Sequence, residues 1–213
     1  MDGIKKYLKP NRSDFEKDPF GYSAAAIDKY DMASMLAGFH LGFDKPDSSG
    51  DDFKNPILWL SQAHALSQAA SIILKSEPEL DLLPSSVQSA CDSQFCAVGL
   101  MLVGYSLEIC LKGMVIIKKG IDGYKKIESK LRHHRLNELA NFIPNLSKKD
   151  KAILKVLSHF VYWAGRYPDP GSGKEAEAES IFAISEKYEI SAKDLFILSA
   201  RIMGYSQKVV TEA

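Results

Sequence analysis

One run limits what this chain can fold into more than any other. From Phe95 to Ile117, 23 residues, only Ser106, Glu108 and Lys112 are clearly polar. The run is long enough to cross a bilayer. A Glu and a Lys well inside a membrane-spanning helix would each cost roughly 2.5–3.5 kcal/mol. A helix enclosed by other helices explains the same pattern without that cost. The run therefore reads as the central helix of a soluble bundle with no membrane partner, and the charges inside it demand partners of their own.

Signals along the chain favour helices throughout. Ser23 to Phe43 has apolar residues at three- and four-residue spacing and predicts one helix, followed by the Pro/Gly/Ser/Asp-rich linker Asp44 to Asp52. Asn55-Pro56 reads as an N-cap with proline at the first helical position, opening a helix from Ile57 to Lys75. Pro84 starts the long central helix, which should stop at Gly120. A short helix is expected near His134 to Phe142, broken by Pro144. Ser147 and Asp150 then form a capping-box pattern for a helix running to Gly165. Pro168, Pro170, Gly171 and Gly173 force a loop, and Ser191 to about Val209 forms a last helix. Strand-like alternation is confined to the short stretch Ser180 to Ile184.

The fold class is thus all-α. It divides into an N-terminal helical extension and linker (1–55), a helical bundle (56–170), and a loop with a C-terminal helix packing on the bundle (171–213).

Tyr105, Glu108 and Lys112 lie three and four residues apart, on one helix face. Buried there, Glu108 and Lys112 must recruit other polar groups. His134 and Arg166, each at a helix end, are the candidates, and a guanidinium can grip a carboxylate with two parallel hydrogen bonds. Two roles fit such a cluster: a structural lock that fixes helix register, or an active or ligand-binding site.

Tyr105-x-x-Glu108-x-x-x-Lys112, His134-x-Leu136-x-x-Leu139 and Arg166-Tyr167-Pro168, in that order, resemble the HEPN superfamily of small helical domains. The resemblance spans roughly Pro56 to Pro170. It implies an up-and-down bundle, a homodimer, and a setting in bacterial or archaeal toxin–antitoxin, phage-defence or RNA-processing systems. Many members are metal-independent ribonucleases with a His four to six residues after an Arg. This chain departs from that pattern, because Arg166 is followed by Tyr-Pro-Asp-Pro-Gly and His159 precedes it. The resemblance therefore implies a non-catalytic module for RNA, a nucleotide or a protein partner. The alternative is an endoribonuclease with His134 as general base and Arg166 stabilising phosphorane charge, Glu108 assisting. A small-ligand pocket beside the same residues is a third reading.

Other features carry less. With 27 basic and 27 acidic residues the chain has no overall pull toward polyanions. Lys112 to Arg135 holds eight basic against two acidic residues, while Asp169 to Asp194 holds seven acidic against three basic and would mask it by folding back. Cys91, Cys96 and Cys110 are odd in number and read as reduced thiols in a cytoplasmic protein. They lack Cys-x-x-Cys spacing, and His40 and His64 sit on separate helices, so no metal or cofactor is expected. Gly171-Ser-Gly-Lys174 lacks both the first glycine and the Ser/Thr of a phosphate-binding loop. Trp59, Tyr162, Trp163 and Tyr167 read as packing residues.

Overall fold

A computed structural model describes residues 10–38 and 50–212. The chain forms two compact units, 1–58 and 59–213. Among the described residues there are helices and no strand, as expected from the sequence.

In the first unit α1 (Ser13–Lys17) precedes the helix expected from Ser23, whose described part is divided between α2 (Pro19–Ala24) and α3 (Ala26–Leu36). Two local events divide them. The Asp18 carboxylate accepts from the Gly21 amide at 2.9 Å and caps a helix that begins with Pro19. Ala25, at φ −82° and ψ 30°, then leaves the helical region before α3. The end of the expected helix at Phe43, most of the Asp44–Asp52 linker, and His40 lie outside the described residues.

α4 (Pro56–Lys75) begins where Asn55-Pro56 predicts, and the Asn55 side chain accepts from the Ile57 amide at 3.0 Å. α5 (Ser85–Lys125) is the organising element of the second unit. Val103, Leu107, Cys110, Leu111, Met114 and Ile116 are all buried along it. Gly120 has φ 67°, a left-handed conformation that glycine adopts without a Cβ clash, so the helix breaks at the expected stop. The chain then resumes a helical path to Lys125.

α6 (Leu136–Leu139) and a 3₁₀ turn (Ala140–Phe142) pack Leu136, Leu139 and Ala140 into the core. α7 (Lys148–His159) follows, capped by the reciprocal Ser147–Asp150 pair. It passes into a π-turn (Phe160–Ala164), closed by the Gly165 amide donating to the Phe160 carbonyl at 3.1 Å. Gly165 lies hard against α5. A Cβ there would sit 2.8 Å from the Ala97 carbonyl oxygen and press on the Met101 side chain, so the close approach requires glycine.

Two further helices complete the unit. α8 (Glu175–Lys187) forms where the sequence predicts loop between Gly173 and Ser191. Glu175 and Glu177 complement its N-terminal dipole, and the helix packs on α7. α9 (Ala192–Thr211) lies along α5 with Leu195, Leu198, Ile202 and Val209 buried, the stripe expected from its spacing. It opens with a second capping box, Ser191–Asp194. The two boxes are tied to each other's helices: Arg201 pairs with Asp150 at 2.7 Å, and Lys149 with Asp194 at 2.7 Å.

α4 and α5 are each long and apolar enough to cross a membrane by length and composition. Their surroundings differ: 56% of the most apolar stretch of α5 is buried within the protein, against 11% for α4.

Candidate functional site

Three of the four expected charged residues meet on one face of α5. Glu108 is 3% exposed, and both of its carboxylate oxygens are engaged. Oε1 accepts from Lys112 Nζ at 2.7 Å, one helical turn on. Oε2 accepts from His134 Nδ1 at 2.8 Å. A carboxylate offers only acceptors, so Nδ1 carries the imidazole proton in this contact. Tyr105, one turn before Glu108, stands edge-on to the His134 ring with centroids 5.9 Å apart. The i−3, i, i+4 spacing on α5 thus places an aromatic wall, an acid and a base in line, and the His134 ring closes over them.

His134 is held from both sides. The chain leaves it into α6, where the Leu136 amide donates to Ser158 Oγ at 2.9 Å. That hydroxyl in turn donates to the Leu154 carbonyl of α7 at 2.8 Å. Leu136 and Leu139 are buried immediately beyond, so the His-x-Leu-x-x-Leu spacing is a hydrophobic anchor that sets the imidazole over α5. The neighbouring His133 turns away. Its Nδ1 accepts from the Arg135 amide, and its Nε2 lies 3.8 Å from Glu138. Burial, and then the Arg135 charge, hold His133 below the ordinary histidine pKa.

Arg166 and Tyr167 do not join this cluster, contrary to the sequence expectation. Both are exposed, and the Arg166 guanidinium lies 5.3 Å over the Tyr167 ring and forms no ion pair with any described residue. The π-turn is the reason. Its wider loop adds a residue to the helical count, which turns whatever follows by roughly 100°. The Arg166 and Tyr167 amides then both bond back to the Trp163 carbonyl, at 2.8 Å each, and the two side chains leave on the solvent side. Trp163 takes the inward position, buried, and its indole N–H finds no acceptor among the described residues.

The cluster is therefore a buried carboxylate balanced by a lysine and shared with an imidazole. Chemically it can hold a proton at His134 and fix the orientation of that ring, whose side chain is 35% exposed. The second group that an acid–base reaction on a phosphodiester needs is a cation free to stabilise the developing charge, and the cluster's one cation, Lys112, is paired with Glu108 at 2.7 Å.

The remaining features fall into place around it. Cys110 is buried, which pushes its thiol up to about 12, and all three cysteines are free. Lys174 of the Gly171-Ser-Gly-Lys174 loop donates to the Tyr162 hydroxyl at 3.2 Å and lies over that ring. The acidic C-terminal segment pairs with α7, through His159–Glu177 and Lys149–Asp194, and makes no described ion pair with the Lys112–Arg135 stretch it was expected to mask.

A second charged region escaped the sequence reading altogether. Lys148, Lys151 and Lys155 share a face of α7, at positions i, i+3 and i+7, and Lys187 faces them from α8. The lysine spacing on α7 is legible in the sequence, but Lys187 joins it only through the packing of α8 on α7. Comparison of the chain with family models, with curated proteins and with solved structures finds no match.

Proposed function

We propose that this protein is a HEPN-like, non-catalytic binding module in which the Glu108 cluster is a structural lock. One observation carries the reading: both oxygens of a buried carboxylate are engaged by Lys112 and His134, while Arg166 is exposed with no ionic partner among the described residues. A carboxylate so engaged, and 3% exposed, presents little surface to a substrate. The resemblance to HEPN proteins supplies the setting, a bacterial stress or phage-defence system in the cytoplasm, and the free cysteines agree with a reducing compartment.

The same reading includes self-association. α4 buries little of its apolar surface, and Ile72 on it, Leu82 and Leu83 on the stretch leading into α5, and Val87 and Val98 on the first part of α5 are exposed. Apolar patches of this kind mark interaction surfaces. A second copy of the chain is the occupant that the resemblance implies. Sedimentation velocity should give a dimer that Ile72→Lys converts to monomer. A wild-type monomer at about 50 µM, or partition into lipid vesicles, would overturn this assignment.

One observation favours the alternative, a metal-independent endoribonuclease: Glu108 orients His134 while part of the imidazole reaches solvent. Incubating purified protein with single-stranded RNA in chelator separates the two. The module reading expects intact RNA after hours. Cleavage that disappears in both His134→Ala and Arg166→Ala would establish the enzyme in its place.

A further inference from the structure

The four lysines named above line a cleft of about 480 Å³ between α6, α7 and α8, together with Asn137, Asn141 and Tyr188. No carboxylate is among the lining residues. Lys148, Lys151, Lys155 and Lys187 are all exposed, and none forms an ion pair with a described residue. Several neighbouring acids and bases are matched: Lys149 with Asp194, Arg201 with Asp150, Arg135 with Glu138, Arg132 with Glu128. Lys149 shows the contrast within one turn of helix, since it points away from the cleft to Asp194 and to the Glu189 carbonyl. In a chain with 27 bases and 27 acids, four adjacent unneutralised lysines are a local concentration and not a reflection of composition.

We infer that this cleft binds a single strand of nucleic acid through its phosphates. Three features select a strand over a compact anion. The lysines are drawn out along α7, seven residues from first to last, or about 10 Å of helix axis. That length matches several successive phosphates of one strand, at roughly 3.4 Å of axial rise each in a duplex and more when extended. Lys187 faces the row from α8, so the charges flank a path and do not form a ring around one point. Asn137 and Asn141, one turn apart, offer amide donors and acceptors, and Lys187 lies 5.7 Å over the Tyr188 ring, so an aromatic side chain also borders the path. Phosphate contacts of this kind fix position without reading sequence. The inference rests on the module reading above and gives that module its ligand.

The test is fluorescence anisotropy of the full chain with a labelled 20-nucleotide single-stranded RNA of uniform sequence. Four phosphate contacts predict a slope of log affinity against log salt of about −2.8, or roughly a fifty-fold loss between 50 and 200 mM salt. Replacing Lys148, Lys151, Lys155 and Lys187 together by Gln should abolish binding and flatten the slope, while each single Lys→Gln change removes about 0.7 from it. A control variant with Gln at Lys118, Lys119, Lys126 and Lys130 loses the same net charge and should bind within about two-fold of wild type. Equal losses in both variants would mean a diffuse charge effect and no cleft. Displacement of the RNA by inorganic tripolyphosphate at equal concentration would mean a small polyphosphate site, again overturning the strand. Circular dichroism checks that the cleft variant folds, as exposed lysines should allow. Cleavage of bound RNA would sink the module reading and leave the cleft standing. Absence of binding would sink the cleft and leave the Glu108 lock standing.

Discussion

Two charged regions of this molecule, about equally rich in ionisable side chains, are built on opposite plans. Around Glu108 the charges are buried, matched and hydrogen-bonded to one another, with Lys112 and His134 consuming both carboxylate oxygens. In the α7–α8 cleft four lysines are exposed with no carboxylate among the described lining residues. Burial makes an unpaired charge expensive, so a charge kept in a core must be balanced by its own fold. An exposed cluster of one sign is under no such demand and keeps its field available to something outside. The difference separates a device that holds helices together from a surface that recruits a ligand, although both are built from the same residue types.

The largest expected effect breaks the first half of that comparison. Glu108→Ala leaves Lys112 uncompensated in a site where its side chain is only 12% exposed, and removes the acceptor for His134. A loss of roughly 3–5 kcal/mol is expected from removing one partner of a buried pair. Urea unfolding should show it as a lower midpoint at unchanged slope. A loss under about 1 kcal/mol would mean that the cluster is as wet as a surface pair and has no locking role. The same change should leave the lysine cleft's salt slope intact wherever the variant remains folded.

Gly165→Ala comes next, because it tests the packing that decides which residues reach the cluster. A methyl group at this position meets the Ala97 carbonyl and the Met101 side chain, so α7 and α5 must separate slightly or the π-turn must shift. Overpacking of this kind costs typically about 1–3 kcal/mol. Full stability in Gly165→Ala would show that the contact yields easily and that the π-turn is not held in place by it.

Most of the framework was legible in the sequence for a physical reason. Caps and stops act locally: Asn55-Pro56, Ser147–Asp150 and Gly120 each do in the structure what their chemistry dictates within a turn of helix. Helix faces were legible too, since Tyr105, Glu108 and Lys112 needed only the 3.6-residue period. Arg166 was misplaced because that period was extended through residues 160–164, where a π-turn changes the phase, and nothing in Phe-Val-Tyr-Trp-Ala announces the change. α8 was missed because its stability comes from packing on α7, a property of the partner more than of Glu175 to Lys187. The lysine cleft joins residues from α6, α7 and α8, and only the tertiary arrangement brings Lys187 into the same cleft as Lys151.

A smaller, pH-dependent effect is expected from the crossed capping boxes. Burial alone would raise the Asp150 pKa. The Arg201 guanidinium, with the Ser147 hydroxyl and amide, outweighs it and holds the carboxyl below its ordinary 3.8. Asp194 is held lower still by Lys149 and by the Ser191 hydroxyl and amide. A carboxyl with a depressed native pKa binds its proton more readily when unfolded. Its contribution is therefore complete above about pH 4 and is lost as pH falls through the native value. Between pH 5 and pH 2.5 the melting temperature of wild type should fall further than that of an Asp150→Asn/Asp194→Asn variant. Parallel curves would mean that the boxes do not tie α7 to α9 in solution.

The least effect is expected where the sequence pointed most firmly to a role. Arg166→Ala should change stability by no more than about 0.5 kcal/mol, the range for surface substitutions away from specific features. The side chain lies over the face of Tyr167, which is itself exposed, and pairs with no charged group among the described residues, so its removal strands no buried partner there. The comparison with Glu108 makes this small number informative. Were Arg166 a hidden member of the cluster, its loss would unbalance the carboxylate and approach the cost of Glu108→Ala, with a double variant costing less than the two single losses together. If the two residues are independent, as their separate contacts require, the losses add. A double-mutant cycle read by urea unfolding therefore measures whether the lock has three charged members or four.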